Sequence, residues 1–172
     1  NNINHVKINR AALYVQDEWQ ATPTWSHYFG MRWEMFQTQG SGNNFSQFKN
    51  NTGVLSPIFQ TLWKLPDSKE NQVRFALART FKNPFPMDLL PSGFASLNNQ
   101  AVLPDTTGNP FLKPETAMGL DVSFEHFGDN GLKYSASLYS KKIENLIRSD
   151  IRLQNNRWVA TLINDGNAQT HG

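Results

Sequence analysis

Apolar and polar side chains alternate with a period of two along most of this chain, as strands with one dry and one wet face require. The cleanest run starts at Met118. Residues 118, 120, 122 and 124 are apolar, and Gly119, Asp121, Ser123 and Glu125 between them are small or acidic. The pattern predicts strands over Arg10–Trp19, Trp25–Thr38, Thr52–Leu65, Gln72–Phe81, Thr116–Phe127 and Leu132–Ile147, with a shorter one over Arg157–Ile163. In the second, Phe29, Met31, Trp33 and Met35 share a face opposite Gly30, Arg32 and Glu34. In the fourth, Val73, Phe75 and Leu77 oppose Arg74, Ala76, Ala78 and Thr80. Residues 1–9 carry no clear pattern. Pro57 has no N–H for a ladder, so it belongs at a strand start or a bulge.

The connections between these strands alternate in length. Short turns are expected at 20–24, where Pro23 fixes φ, at 66–71, and at 128–131, where Asp129-Asn130-Gly131 tolerates positive φ. Longer loops are expected at 40–51, 82–115 and 148–156. The 82–115 stretch holds Pro84, Pro86, Pro91, Pro104, Pro110 and Pro114, so it is no strand, although Met87–Leu90 suits one helical turn. Short turns at one end and long loops at the other describe an up-and-down meander of the outer-membrane barrel type. A sandwich meets water at both ends and has no cause to segregate its loops. Strand length agrees, since crossing a bilayer at a tilt takes roughly 9–11 residues against about 5–6 for an ordinary strand. Trp19, Trp25, Tyr28, Trp63, Phe127 and Tyr134 lie near the short turns, where a membrane interface favours such rings. The plainer reading is that aromatic residues favour strands of any kind.

Composition narrows the field further. The 172 residues are 38% hydrophobic, and no run approaches the roughly 18 apolar residues of a transmembrane helix. A barrel strand needs only half that apolar content, because its other face is wet. Net charge is +2, without basic clusters interleaved with aromatics, so nucleic acid is not an expected partner. Cysteine is absent, which removes disulfides and thiolate metal sites. His5, His27, His126 and His171 show no ligand spacing, and no metal site or cofactor is expected. Asp17 and Glu18 are adjacent on a strand and point to opposite faces, so they are poor acid–base partners. No nucleophile–base pattern is present, and the chain is read as having no catalytic residues and no enzymatic role. Neither end shows a signal sequence or a closing strand, which suits an internal piece of a longer protein.

Several patches carry a family resemblance. Tyr14-Val15-Gln16-Asp17-Glu18-Trp19, followed by Gly30-Met31-Arg32-Trp33-Glu34, resembles the "YxQDEW … GxR" strand pair of TonB-dependent outer-membrane receptors. Ser56-Pro57 is similar to their "SP" strand, and Arg79-Thr80-Phe81-Lys82-Asn83-Pro84 to their "SFKxP" strand end. Asn109-Pro110-Phe111-Leu112-Lys113-Pro114-Glu115 resembles "NPxLKPE". Residues Leu138 to Ile147 resemble "FYxxIxDLI", with Leu138 where the family often has an aromatic. The patches stand in the family's order over roughly residues 10–166.

The resemblance implies an all-β, antiparallel up-and-down fold of about seven strands, part of a transmembrane barrel of about 22 strands around a plug. On that reading residues 1–172 are a fragment of the barrel domain, without plug, TonB box or signal peptide. The implied partners are outer-membrane lipid, the plug of the same full-length chain, TonB, and a scarce solute such as an iron–siderophore complex. Arg32, Glu34, Arg74, Asp121 and Glu125 should face the lumen, bonding to the plug and each other or lining a solute path. Phe85, with Phe94 and Phe111, stands on the long 82–115 loop, which would either close over a ligand on the extracellular side or form a plain surface excursion. The competing expectation is a soluble β-sandwich binding module, perhaps for carbohydrate, stacking sugars on Trp25, Trp33 and Trp63. A module would hide Met31, Trp33, Phe75 and Leu120 in one core, whereas a barrel wall would turn them outward.

Overall fold

The computed structural model describes residues 3–66, 70–129 and 131–172. Among these residues ten strands form: β1 (Asn4–Thr22), β2 (Trp25–Gly42), β3 (Phe48–Lys64), β4 (Asn71–Lys82), β5 (Asp105–Thr107), β6 (Glu115–Phe127), β7 (Lys133–Glu144), β8 (Ile147–Gln154), β9 (Arg157–Asn164) and β10 (Asn167–His171). Seven of them make one antiparallel sheet in the order β1-β2-β3-β4-β6-β7-β10. Each neighbour in this wall follows the last along the chain, apart from the excursions that hold β5 and the β8–β9 hairpin. The fold is the all-β meander that the alternation predicts.

Strand limits differ from expectation at one end of the wall. β1 begins at Asn4, within a stretch that shows no alternation, because backbone pairing with Gly42 and its neighbours carries the strand beyond its apolar pattern. β2 and β3 likewise run on through the Gly-, Asn- and Ser-rich 40–51 stretch, leaving only residues 43–47 as a loop. At 18 residues, β2 spans roughly 60 Å, about twice a bilayer's hydrocarbon thickness.

The seventh wall strand is not the expected Arg157–Ile163 but β10. Residues 148–156, expected as a loop, are mostly strand β8, which pairs with β9 through a two-residue turn at Asn155 and Asn156. Both asparagines have positive φ (47° and 62°), as a type I′ hairpin turn demands. The register passes unbroken from wall to hairpin: Glu144 faces Asn167, and Ile147 faces Asn164. Positive φ at Asn145 and Gly166 breaks the pair there, and β9 turns aside to pair in parallel with β5.

Alternation places Phe29, Trp33, Met35, Leu55, Leu77 and Leu120 on one face, and all are exposed. Trp33 is 41% and Leu120 39% exposed; Met31 and Phe75 are half-buried. These residues share no core, so the sandwich expectation fails on the geometry that was to decide it. The buried apolar side chains lie elsewhere. Phe36, Val54 and Ala117 are on the wall, Leu89, Leu90 and Leu112 on the long segment, and Ala160 on β9. Leu112, in the middle of the Asn109–Glu115 motif, is the most enclosed at 1% exposed. Asn50 of β3 donates to its carbonyl at 3.3 Å.

Trp19, Trp25 and Trp63 gather on the apolar face beside the short turns, with Trp25 directly opposite Trp63. His27 sits among them, its ring 5.2 Å from Trp19 and 5.0 Å from Trp25. His126 stacks on Tyr134 at 4.5 Å. Tyr28 departs from the expected girdle. It faces the opposite side and donates to Gln16 at 3.2 Å, because 28 is out of phase with 25 and 27.

Candidate functional site

The polar face of the wall carries two charge clusters. Glu34 on β2 is 3% exposed and accepts from two arginines, Arg10 Nε at 2.6 Å and Arg32 Nε at 2.5 Å. Arg32 lies two residues away on the same strand. Arg10 comes from β1, where it pairs with Phe36, and so reaches Glu34 along a cross-strand diagonal. Its guanidinium also lies 5.3 Å from the Phe36 ring centroid, a cation–π distance. The triad leaves one net positive charge on this part of the wall.

The second cluster joins β4 and β6. Arg74 Nε stands 3.1 Å from both carboxylate oxygens of Glu125, and Gln72 donates to the same group. Thus Arg32 meets Glu34, and Arg74 meets Glu125, while Asp121 stays exposed on the same face and joins neither cluster. Arg10 and Gln72 escaped the sequence reading. Their parity assigns them to the polar face, but only the register between strands shows which carboxylate each one meets.

Phe85 lies off the wall. It is 65% exposed at the start of a 3-10 helix, Pro86–Leu89, which realises the helical turn expected at Met87–Leu90. Its backbone N–H donates to Asp88 at 3.2 Å.

The long segment is tied to the β8–β9 hairpin by side chains that imitate a strand partner. The Asn99 amide donates to the Trp158 carbonyl at 2.8 Å and accepts from the Trp158 N–H at 2.7 Å. Asn164 does the same for Lys113, at 2.9 and 2.7 Å. Asp105 and Arg157 form an ion pair at 2.6 Å. The Arg157 hydrogen bond, helped by the Ser96 N–H, holds the Asp105 carboxyl well below the usual carboxylate range. Between segment and hairpin lies a hollow of about 230 Å³, lined by Met87, Asp88, Phe94, Thr106, Ser149 and Thr161 among others. Among the described residues no group of three His, Asp or Glu side chains converges as metal ligands.

A profile of the family "TonB dependent receptor-like, beta-barrel" matches residues 1–172. The chain belongs to this family. No curated protein sequence matches it. Among solved structures, the Serratia marcescens hemophore receptor HasR, seen with its hemophore HasA and heme, superposes with a TM-score of 0.74 at 13% identity, covering 96% of this chain and 31% of that one. The copper transporter OprC gives 0.69 at 17% identity, over 97% and 25%. The siderophore receptor PirA of Pseudomonas aeruginosa gives 0.60 at 14% identity, over 97% and 39%. Such identities speak for the fold alone. The chain therefore spans well under half the length of these TonB-dependent receptor neighbours.

Proposed function

We propose that this chain forms part of the barrel wall of an outer-membrane receptor that imports a scarce solute, such as an iron–siderophore complex, in concert with TonB. One observation carries the reading: strands β2, β4 and β6 expose apolar side chains on one face and carry most of their charges on the other. Lipid suits the first face, and a plug or a solute path suits the second. The three neighbours, described as a hemophore receptor, a copper transporter and a siderophore receptor, support import in general and leave the cargo open. The end bearing the long segment and the hairpin then faces outward from the cell, and the tryptophan cluster marks the periplasmic boundary.

On this reading Arg32, Glu34, Arg74, Asp121 and Glu125 line the lumen. Paired carboxylates and guanidiniums brace the wall and present donors and acceptors to the plug. Asp121 is free to meet solute or plug. Phe85 meets cargo at the outer mouth. The role is transport, without a catalytic step. Deletion of the full-length gene, followed by uptake measurements with ferric siderophores, heme and copper, tests the proposal. Loss of uptake of one such solute, restored by the intact gene, is the expected result; unchanged uptake of all of them sinks it.

A further inference from the structure

The wall is not hydrogen-bonded along its full height. The β3–β4 ladder runs from Lys64↔Gln72 to Ile58↔Ala78 and stops there. The next residue on β3 is Pro57, which has no N–H to continue the ladder. β4 nevertheless pairs with β6 as far as Lys82↔Glu115, and β3 pairs with β2 as far as Phe48. Above Pro57 the two halves of the wall therefore part. A hollow of about 310 Å³ occupies the split, lined by Asn51, Thr52, Leu55, Arg79, Lys113 and Thr116 among others.

Parity assigns Asn51, Leu55, Arg79 and Thr116 to the apolar face of the wall. The split also falls where that face changes character. Trp33 opposite Leu55 gives way to Gln37 opposite Asn51 on one side. Leu77 opposite Leu120 gives way to Arg79, Met118 and Lys142 on the other. In a membrane this is the outer hydrocarbon–headgroup boundary. Two cations meet there without a carboxylate in contact, Glu144 acting on Arg79 only from a distance. Lys142 is matched by Glu144 at 2.8 Å and Lys82 by Glu115 at 3.3 Å. Among the described residues neither Arg79 nor Lys113 has a carboxylate within ion-pair distance.

We infer that the Arg79–Lys113 split is a binding site for the phosphate of a membrane-lipid headgroup. A guanidinium and an ammonium supply charge-assisted donors, Asn51 supplies a neutral one, and Leu55 offers an apolar floor toward the acyl region. The inference goes beyond solute import and rests only on the membrane placement of the wall.

The test uses the full-length receptor, delipidated in detergent and titrated with diphosphoryl lipid A, with bound copies counted by native mass spectrometry. R79Q/K113Q should need roughly tenfold more lipid for equal occupancy, about 1.4 kcal/mol. Dephosphorylated lipid A should not distinguish the two proteins. K82Q, which removes a cation already paired, should behave as the parent. K113Q alone, on the loop rather than a strand, keeps the test valid should the double variant fail to assemble, as judged by heat-modifiable gel migration. Equal diphosphoryl binding by parent and variants overturns the site, and so does parent-like affinity for the dephosphorylated lipid. Displacement by millimolar inorganic phosphate would mean a free-anion site and would equally overturn it. Solute uptake is a separate readout, so a receptor with an unexpected cargo leaves this result standing.

Discussion

Replacing Glu34 by Gln removes the anion from a cluster whose other members are both cations. Gln keeps the shape and one acceptor oxygen, so the change isolates charge from packing. The carboxylate is almost fully covered, and breaking a buried pair costs about 3–5 kcal/mol when the remaining charge stays buried. Here the arginine side chains are 56% and 42% exposed. They can turn to water, and the penalty falls. A hydrogen bond to a charged group contributes about 1.5–3 kcal/mol, and two are weakened rather than lost. The expected loss is about 1–3 kcal/mol. Denaturant unfolding of the full-length receptor in detergent micelles, followed by tryptophan fluorescence, would measure it. R32Q and E34Q/R32Q complete a double-mutant cycle that separates the pair from its surroundings. A loss below about 0.5 kcal/mol for E34Q, with no coupling to Arg32, would show that the triad is an idle surface pair.

Other consequences follow from the same geometry. Leu120→Arg on the apolar face should cost about 2–4 kcal/mol and impair assembly, whereas Ala76→Arg on the polar face should assemble normally; equal heat-modifiability of the two would refute the assignment of faces. Gly108→Ala places a Cβ 2.2 Å from the Leu90 carbonyl oxygen, so the long segment must lift from the 3-10 helix. Faster amide exchange over residues 94–107 should report this loosening, and unchanged exchange would contradict it. Because the folded Asp105 carboxyl is depressed, its contribution to the pairing of β5 with β9 is complete above the ordinary carboxyl pKa of about 3.9. It drains away only as pH falls through the depressed value. Exchange protection at Ser96 should therefore be flat between pH 7 and 5, and loss of protection within that window would exclude the Arg157 pairing as its source.

The strands and their faces were legible in the chain because alternation is a local property: each residue's parity states which side it takes. Turn chemistry was local too, and Gly131, with φ of 76°, behaves as Asp129-Asn130-Gly131 predicts, although Asn130 lies outside the described residues. The β8 strand was legible in principle. Ile147, Ile151 and Leu153 alternate with Arg148, Asp150 and Arg152, and Asn155-Asn156 is a hairpin pair. Its charges made it read as a loop.

Pairing is another matter, since parity names a face and no partner. Nothing in the spacing shows that Arg10 reaches Glu34, that β9 leaves the wall for β5, or that β10 takes the seventh place. Those choices depend on contacts between distant residues, such as Asn109 with the Leu162 carbonyl at 2.9 Å and Asn164 with Lys113. The split above Pro57 shows the two levels together. The missing N–H is written in the chain, but whether its neighbours close over the gap or part around it depends on where the long segment comes to rest.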